Sequence, residues 1–213
     1  MTRRVSRLTV DDLAVLPDRC GSCVFWELDP VRREAACGRE REEKAAWVSG
    51  VLHDWGSCGQ LATIDDAYAG HIIWAPPVYV PAAAGFATAP ISADAVLLVA
   101  AHVAPEFREA GLGRVLVQAM ARDLIRRGEF RAVEAFGDLR GQEGECVLPA
   151  DFLLSLGFAT QRAHERYPRL RMDLRSVVTW RAELETAIER LLKPARRGKP
   201  SPAVRTAHPA ERR

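Results

Sequence analysis

Arg108, Gly111, Gly113 and Arg114 crowd into seven positions of the stretch "VAPEFREAGLGRVLVQAM", Val103 to Met120. A turn needs one glycine, and this one has two, flanked by two arginines. It lies between an apolar run and a helical pattern. A strand, a glycine turn and a helix start together make an anion site. The first helical N–H groups have no intrahelical partner, and the helix dipole adds partial positive charge. Gly111 and Gly113 carry no Cβ, so a phosphate can approach the backbone closely. Arg108 and Arg114 add charge. Two other phosphate motifs are excluded by spacing. A P-loop needs a Lys-Ser or Lys-Thr pair where Arg114-Val115 stands, and the dinucleotide fingerprint needs glycine where Leu116 stands. A plain helix start after a tight turn is the alternative.

The second group is the cysteines. Cys20 and Cys23 form C-x-x-C, Cys37 and Cys58 follow, and Cys146 stands far downstream. A zinc site wants four thiolates in tetrahedral geometry. The gaps of 13 residues before Cys37 and 20 before Cys58 do not match a compact two-knuckle site, and "CVFWEL" reads as a packed apolar element. The expectation is reduced, packing cysteines and no metal, with a redox pair and a zinc site as alternatives.

The elements that position these residues follow from pattern. "VSRLTVDDLAVL" predicts a short strand and a helix start capped by Asp11 or Asp12. Residues 38–56 predict a helix with Ala46, Trp47 and Val51 inward. Residues 59–80 predict a hairpin around a turn containing Asp66 and Gly70, ended by Pro76 and Pro77. "DAVLLVAAHVAP" is continuously apolar, which fits a strand buried on both faces. The helix after the glycine turn places Leu112, Val115, Leu116, Ala119, Met120 and Leu124 inward, and Gly128 stops it. "RAVEAFG" predicts a strand, "LPADFLLSLGF" a short helix between Pro149 and Gly157, and "LRMDLRS" a half-exposed strand. "TWRAELETAIERLL" predicts a last amphipathic helix.

Composition is that of a globular protein: 213 residues, 48% hydrophobic and 27% charged. Residues 193–213 carry seven Lys or Arg against Glu211, a net +6 within a chain of +2, which leaves −4 on residues 1–192. The basic character belongs to this tail, predicted to be disordered. Arg3 and Arg4 lead into "VSRLTVDD" with no secretory apolar segment, and no run is long enough to span a bilayer. A cytoplasmic location is expected.

"VAPEFREAGLGR" resembles the acetyl-CoA motif of the GNAT N-acetyltransferase superfamily: V-x-P-x-x-R, two residues, then G-x-G. "FLLSLGF", Phe152 to Phe158, resembles that superfamily's later motif. The resemblance covers approximately residues 4–175. It implies an α+β fold with a central, mostly antiparallel twisted sheet, a splayed strand pair and helices on both faces, forming a domain of residues 1–192 with the tail at 193–213. It also implies acetyl-CoA as cosubstrate. Val103 would offer its main chain to the pantetheine arm, and Arg108, Glu109, Ala110, Gly111, Leu112, Gly113 and Arg114 would line the pyrophosphate. The strand at 131–136 would splay from the one before Val103, leaving a slot for the thioester.

The superfamily's usual tyrosine acid lies four residues before the glycine of "GF", where this chain has Leu153. Cys146, near a helix N-terminus, is a candidate acid or acyl-carrying nucleophile. Glu134 is a candidate base acting through water, and His102 has a pKa suited to a base. Each also has a plain reading: an inert cysteine, a solvated strand glutamate, a hydrogen-bonded core histidine. Tyr79 and Tyr167 are further groups within reach of a substrate mouth. The expected activity is acetyl transfer to a primary amine of a small molecule or protein. The rivals are a non-catalytic acyl-CoA sensor and a nucleic-acid-associated protein acting through the tail. The negative domain and the absence of aromatics in the tail argue against nucleic acid. No membrane partner is expected, and a homodimer stays open.

Overall fold

The apolar run Ala95–Val103 forms β4, the strand around which the site is built. The structure, a computed structural model, describes residues 2–141 and 146–177. The helix expected at 179–192 and the basic tail lie outside the described residues.

Among the described residues, eight strands form one sheet: β1 (Arg3–Arg7), β2 (Gly59–Ile64), β3 (Ala67–Ala75), β4, β5 (Ala132–Asp138), β6 (Leu148–Pro149), β7 (Ala159–Arg162) and β8 (Arg169–Asp173). Their order is β1-β2-β3-β4-β5-β8-β7, with β6 attached to β5. All neighbours pair antiparallel except β4 with β5 and β5 with β6. Among the described residues, the helices that accompany the sheet are α1 (Asp18–Ser22), α2 (Pro30–Ala35), α3 (Glu40–Asp54), α4 (Leu112–Arg127) and α5 (Ala150–Ser155). This is the mixed α+β class expected. Among the described residues, no helix is long and apolar enough to cross a membrane.

The sheet has a core on each face. On one, Leu112, Leu116, Met120 and Leu124 of α4 and Leu153 of α5 pack against Ile72, Trp74, Val96, Leu98 and Val133. On the other, Val48 and Val51 of α3 and Trp26 pack against Ile73, Leu97, Val99 and Phe136. Burying each large aliphatic side chain contributes about 1.5–3 kcal/mol. β4 feeds both cores, hence its unbroken hydrophobicity.

Several element expectations need correction. The hairpin turn is Asp65–Asp66, both at positive φ (48° and 64°), and Gly70 sits inside β3. A Cβ on Gly70 would lie 2.7 Å from the His102 carbonyl oxygen, so this glycine serves a close strand approach. In α3 the buried positions are Lys44, Val48 and Val51, while Ala46 is exposed. In α4, Val117 and Ala121 are buried and Val115 is exposed. The segment after β1 is a 3-10 turn, Asp11–Ala14, and the Asp12 carboxylate accepts from the N–H and the hydroxyl of Thr9.

Candidate active site at the splayed strands

β4 and β5 pair at Ala95↔Ala132, Val96↔Val133 and Leu97↔Glu134, and then part. The cause is visible in register. On its other side β4 pairs Leu98 with Trp74 and Ala100 with Ile73, so Val99 is an extra residue. Such a bulge bends a strand and increases its twist. Beyond Leu97, the edge of β4 facing β5 has no strand partner. The matching edge of β5 is taken at Gly137 and Asp138 by Leu148 and Pro149. This wedge keeps the two strands apart and brings Cys146 and Val147 to the slot.

The slot opens into a cavity of ≈ 1060 Å³. Its lining takes Val103, Arg108, Gly111, Gly113 and Arg114 from the end of β4 and the turn into α4, Cys20, Cys23, Trp26, Glu27 and Lys44 from the N-terminal segments, and His102 and Cys146. Of the residues expected from the resemblance, Val103, Arg108, Gly111, Gly113, Arg114, His102 and Cys146 line this cavity, and Glu134 does not. The side chains of Glu109 and Ala110 lie outside the described set, and the Leu112 side chain is buried against α4's neighbours.

Gly111 does double duty. It closes the 3-10 turn Pro105–Ala110 and caps α4, at φ 70°. That conformation costs an L-residue roughly 1–2 kcal/mol. The following N–H groups at the helix start are free of intrahelical partners, apart from Val115, which bonds to the Gly111 carbonyl. Gly113 is glycine for another reason than strain. A Cβ there would meet Leu156 at 3.5 Å and Phe152 at 3.8 Å, which is ordinary contact.

His102 lines the cavity, half-buried. Its Nδ1 lies 2.9 Å from the Tyr68 hydroxyl, which also lies 2.7 Å from Nδ1 of His71. A hydroxyl has one proton, so Tyr68 donates to one imidazole and accepts from the other. If His102 is to take a proton at Nε2, its Nδ1–H donates to Tyr68, and Tyr68 donates to His71. Burial lowers the pKa of His102, and Arg108 lowers it further against the opposing pull of Glu106. Burial, then His102 and Lys44, push His71 down to about 3. The Nε2 of His71 has no partner among the described residues.

Cys146 also lines the cavity. Its Sγ lies 2.6 Å from Cys23 Sγ, and its carbonyl accepts the Trp26 indole N–H at 2.8 Å. The Cys146 thiol is pushed up, chiefly by its bond to Cys23, which is itself lowered to about 7 by that bond against the cost of burial. Cys146 alone is therefore a poor proton donor, a correction to its reading as a lone acid near a helix N-terminus.

Glu134 is corrected more fully. It is 0% exposed and absent from the cavity lining. Its carboxylate is held by Arg171 at 3.3 Å, Arg169 at 3.4 Å and the Ser92 N–H at 3.1 Å. Those partners lie on β8 and in the loop before β4, which turn it into a structural ion pair. Tyr79 and Tyr167 do not line the cavity. Leu153 is buried in the core, and the residues of α5 that line the cavity are Phe152 and Ser155.

Sequence reasoning missed Cys23, Trp26, Glu27 and Lys44 as cavity residues. Lys44 and Glu27 form an ion pair with their side chains 3% and 0% exposed, and the Glu27 carboxylate also accepts the Trp26 N–H. Helical periodicity carries no signal for this pair, because its two members lie on separate segments. Among the described residues, no three His, Cys, Asp or Glu come together as a metal-binding group.

The family model described as FR47-like protein matches residues 83–135, the stretch holding β4, the glycine turn and α4. No curated protein matches the sequence. Among solved structures, the chain is similar to an aminoglycoside acetyltransferase AAC(6')-Ib in complex with coenzyme A, at 13% identity and TM-score 0.56, covering 84% of this chain and 99% of that one. It is also similar to the PaiA N-acetyltransferase from Thermoplasma acidophilum in complex with coenzyme A, at 13% identity and TM-score 0.54 over 81% and 99%. A third is YncA, a putative acetyltransferase from Salmonella typhimurium with acetyl-CoA, at 13% identity and TM-score 0.52 over 82% and 95%. The bulged β4, its splay from β5 and the turn into α4 are thus set in the fold of the GNAT acetyltransferases.

Proposed function

We propose that the protein transfers an acetyl group from acetyl-CoA to a primary amine. One observation carries this reading: a single cavity joins the N-terminal turn of α4 to the vacated edge of β4, with His102 in the same lining. The backbone N–H groups of the turn from Arg108 through Glu109, Ala110, Gly111, Leu112 and Gly113 to Arg114 hold the pyrophosphate, and Arg108 and Arg114 add charge. Val103 and the β4 edge offer main-chain groups to the pantetheine arm. The thioester then lies in the slot, with the acceptor entering from the end lined by Cys20, Trp26 and Glu27.

An amine attacks only when unprotonated. His102, with its lowered pKa and its Nδ1 tied to Tyr68, is neutral at pH 7 and accepts that proton at Nε2. The departing thiolate collects a proton from the Cys23 thiol, lowered to about 7, while Cys146 keeps its own proton and bonds to the Cys23 sulfur. All five cysteines are free thiols, which fits a reducing cytoplasm.

The test combines calorimetric titration of acetyl-CoA with thiol release across a panel of polyamines, aminoglycosides, amino acids and peptides. Saturable binding with amine-dependent release supports the reading. Binding without release for any amine makes the protein a sensor. No binding at millimolar coenzyme overturns the reading altogether.

A further inference from the structure

Cys23 and Cys146 are far apart in sequence and meet in the wall of the cavity, Sγ to Sγ. Cys23 follows α1, and Cys146 precedes β6. The bond from the Trp26 indole to the Cys146 carbonyl ties the two backbones at the same place. Both cysteines also line a second groove of ≈ 560 Å³, which holds Cys37. The pair therefore lies between two spaces and is open to small reagents from both.

We propose that Cys23 and Cys146, and not the C-x-x-C pair Cys20 and Cys23, form a redox modification site that peroxide converts to a disulfide. The geometry supplies the partner, since Cys146 Sγ is already in contact with Cys23 Sγ. The electrostatics supply the nucleophile. Cys23 is lowered to about 7 by its hydrogen bond with Cys146, in which either sulfur can be the donor, while burial raises Cys20 and pushes Cys58 up to about 12. The thiolate is the species that peroxide oxidises.

The Cys23 thiolate attacks one peroxide oxygen, and the O–O bond breaks. Hydroxide leaves and takes a solvent proton to become water, and Cys23 becomes a sulfenic acid. Cys146 sulfur then attacks Cys23 sulfur. The S–S bond forms, the S–O bond breaks, and a second water leaves with the Cys146 proton. Two thiols lose two electrons in total and one peroxide gains them. A small dithiol reverses the reaction by exchange. Once oxidised, the pair closes a long loop of chain and fixes the wall between the two spaces.

The experiment treats the full chain with hydrogen peroxide near pH 7, blocks the remaining thiols, and maps the digest by mass spectrometry. The expected result is a loss of about 2 Da and one cross-linked peptide joining Cys23 to Cys146, both reversed by dithiothreitol. Cys20, Cys37 and Cys58 are recovered blocked. The oxidised protein melts several degrees higher than the reduced one, because the bond restricts the unfolded chain. In Cys146→Ser the mass loss disappears, and Cys23 is trapped as a sulfenic acid by dimedone. A cross-link between Cys20 and Cys23, a cross-link to Cys37, or no cross-link at all overturns the proposal. None of these readouts depends on acetyl-CoA.

Discussion

His102 and Glu134 looked equivalent in sequence: both are titratable groups on apolar strands flanking the expected slot. The structure separates them by what surrounds each side chain. His102 keeps one nitrogen for a substrate, while every partner of Glu134 is a cation or an N–H that holds it in place. The two variants should therefore fail differently. His102→Gln is expected to lower kcat about a hundredfold while coenzyme affinity stays within about twofold, since general-base catalysis is worth about 10²–10⁴. Because the pKa of His102 is lowered, the acidic limb of the wild-type rate profile should lie below the ordinary histidine range, and it should vanish in His102→Gln. Glu134→Gln should leave kcat nearly unchanged and instead destabilise by about 1–3 kcal/mol in denaturant unfolding, because Arg169 and Arg171 lose a charged acceptor while Arg171 keeps Asp94 and Asp173. A Glu134→Gln enzyme of full stability and lost turnover would return this residue to the chemistry.

At the scale of elements, the glycine turn was legible and its two glycines were not equivalent. Their spacing after an apolar run gave the strand, turn and helix, and the structure bears that order out. What spacing does not show is which glycine answers to conformation. Gly111 at φ 70° does, and Gly113, with open contact distances, does not. Gly111→Ala should cost about 1–2 kcal/mol of stability. Gly113→Ala should fold as well as wild type and bind acetyl-CoA with similar affinity. Gly113→Glu carries a negative charge to the phosphate end of the cavity, and should weaken binding more than tenfold with little change in the melting temperature of the free protein. Calorimetry and thermal unfolding on the three variants decide this; equal binding by Gly113→Glu would mean the turn holds no anion. Helix faces were less legible. Ala46 was expected inward in α3 and is exposed, while Lys44 is buried, because periodicity weighs hydrophobicity and cannot foresee that Glu27 lies on another segment to pair with Lys44. The hairpin turn was misplaced for a related reason. Gly70 reads as a turn residue, and only the neighbouring strand shows why a bare backbone is needed there.

At the scale of the whole molecule, the site is assembled from segments that no local pattern joins. The glycine turn is contiguous in sequence and was readable. The rest of the cavity lining draws on residues 17–27, 44 and 146–149, which meet only because the fold brings them together. The same assembly buries His71 between the sheet and the N-terminal helices, and this has a consequence for the stability of the entire fold. His71 is 0% exposed, faces Tyr68, His102 and Lys44, and titrates at about 3 instead of 6.5. The unfolded chain binds a proton on this residue below pH 6.5, whereas the folded chain does not until about pH 3. Stability is therefore complete above the unfolded pKa and is lost as pH falls through that window, at about 1.4 kcal/mol per pH unit for one such group. Lowered carboxylates such as Asp94 and Asp123 act with the same sign, but only as pH falls toward 4 and below. Half-buried His102 shares the upper window with a smaller share of burial. Between pH 6.5 and 5 the main contributor is thus His71, and wild type should lose about 2 kcal/mol there from this residue alone. His71→Asn keeps a polar group near the Tyr68 hydroxyl and does not titrate. Its stability at pH 7 should fall, because packing around the ring is lost, but the curve between pH 6.5 and 5 should be much flatter than that of wild type. Denaturant unfolding at four pH values measures both slopes, and equal slopes for the two proteins would show that His71 is not the group that links this fold to pH.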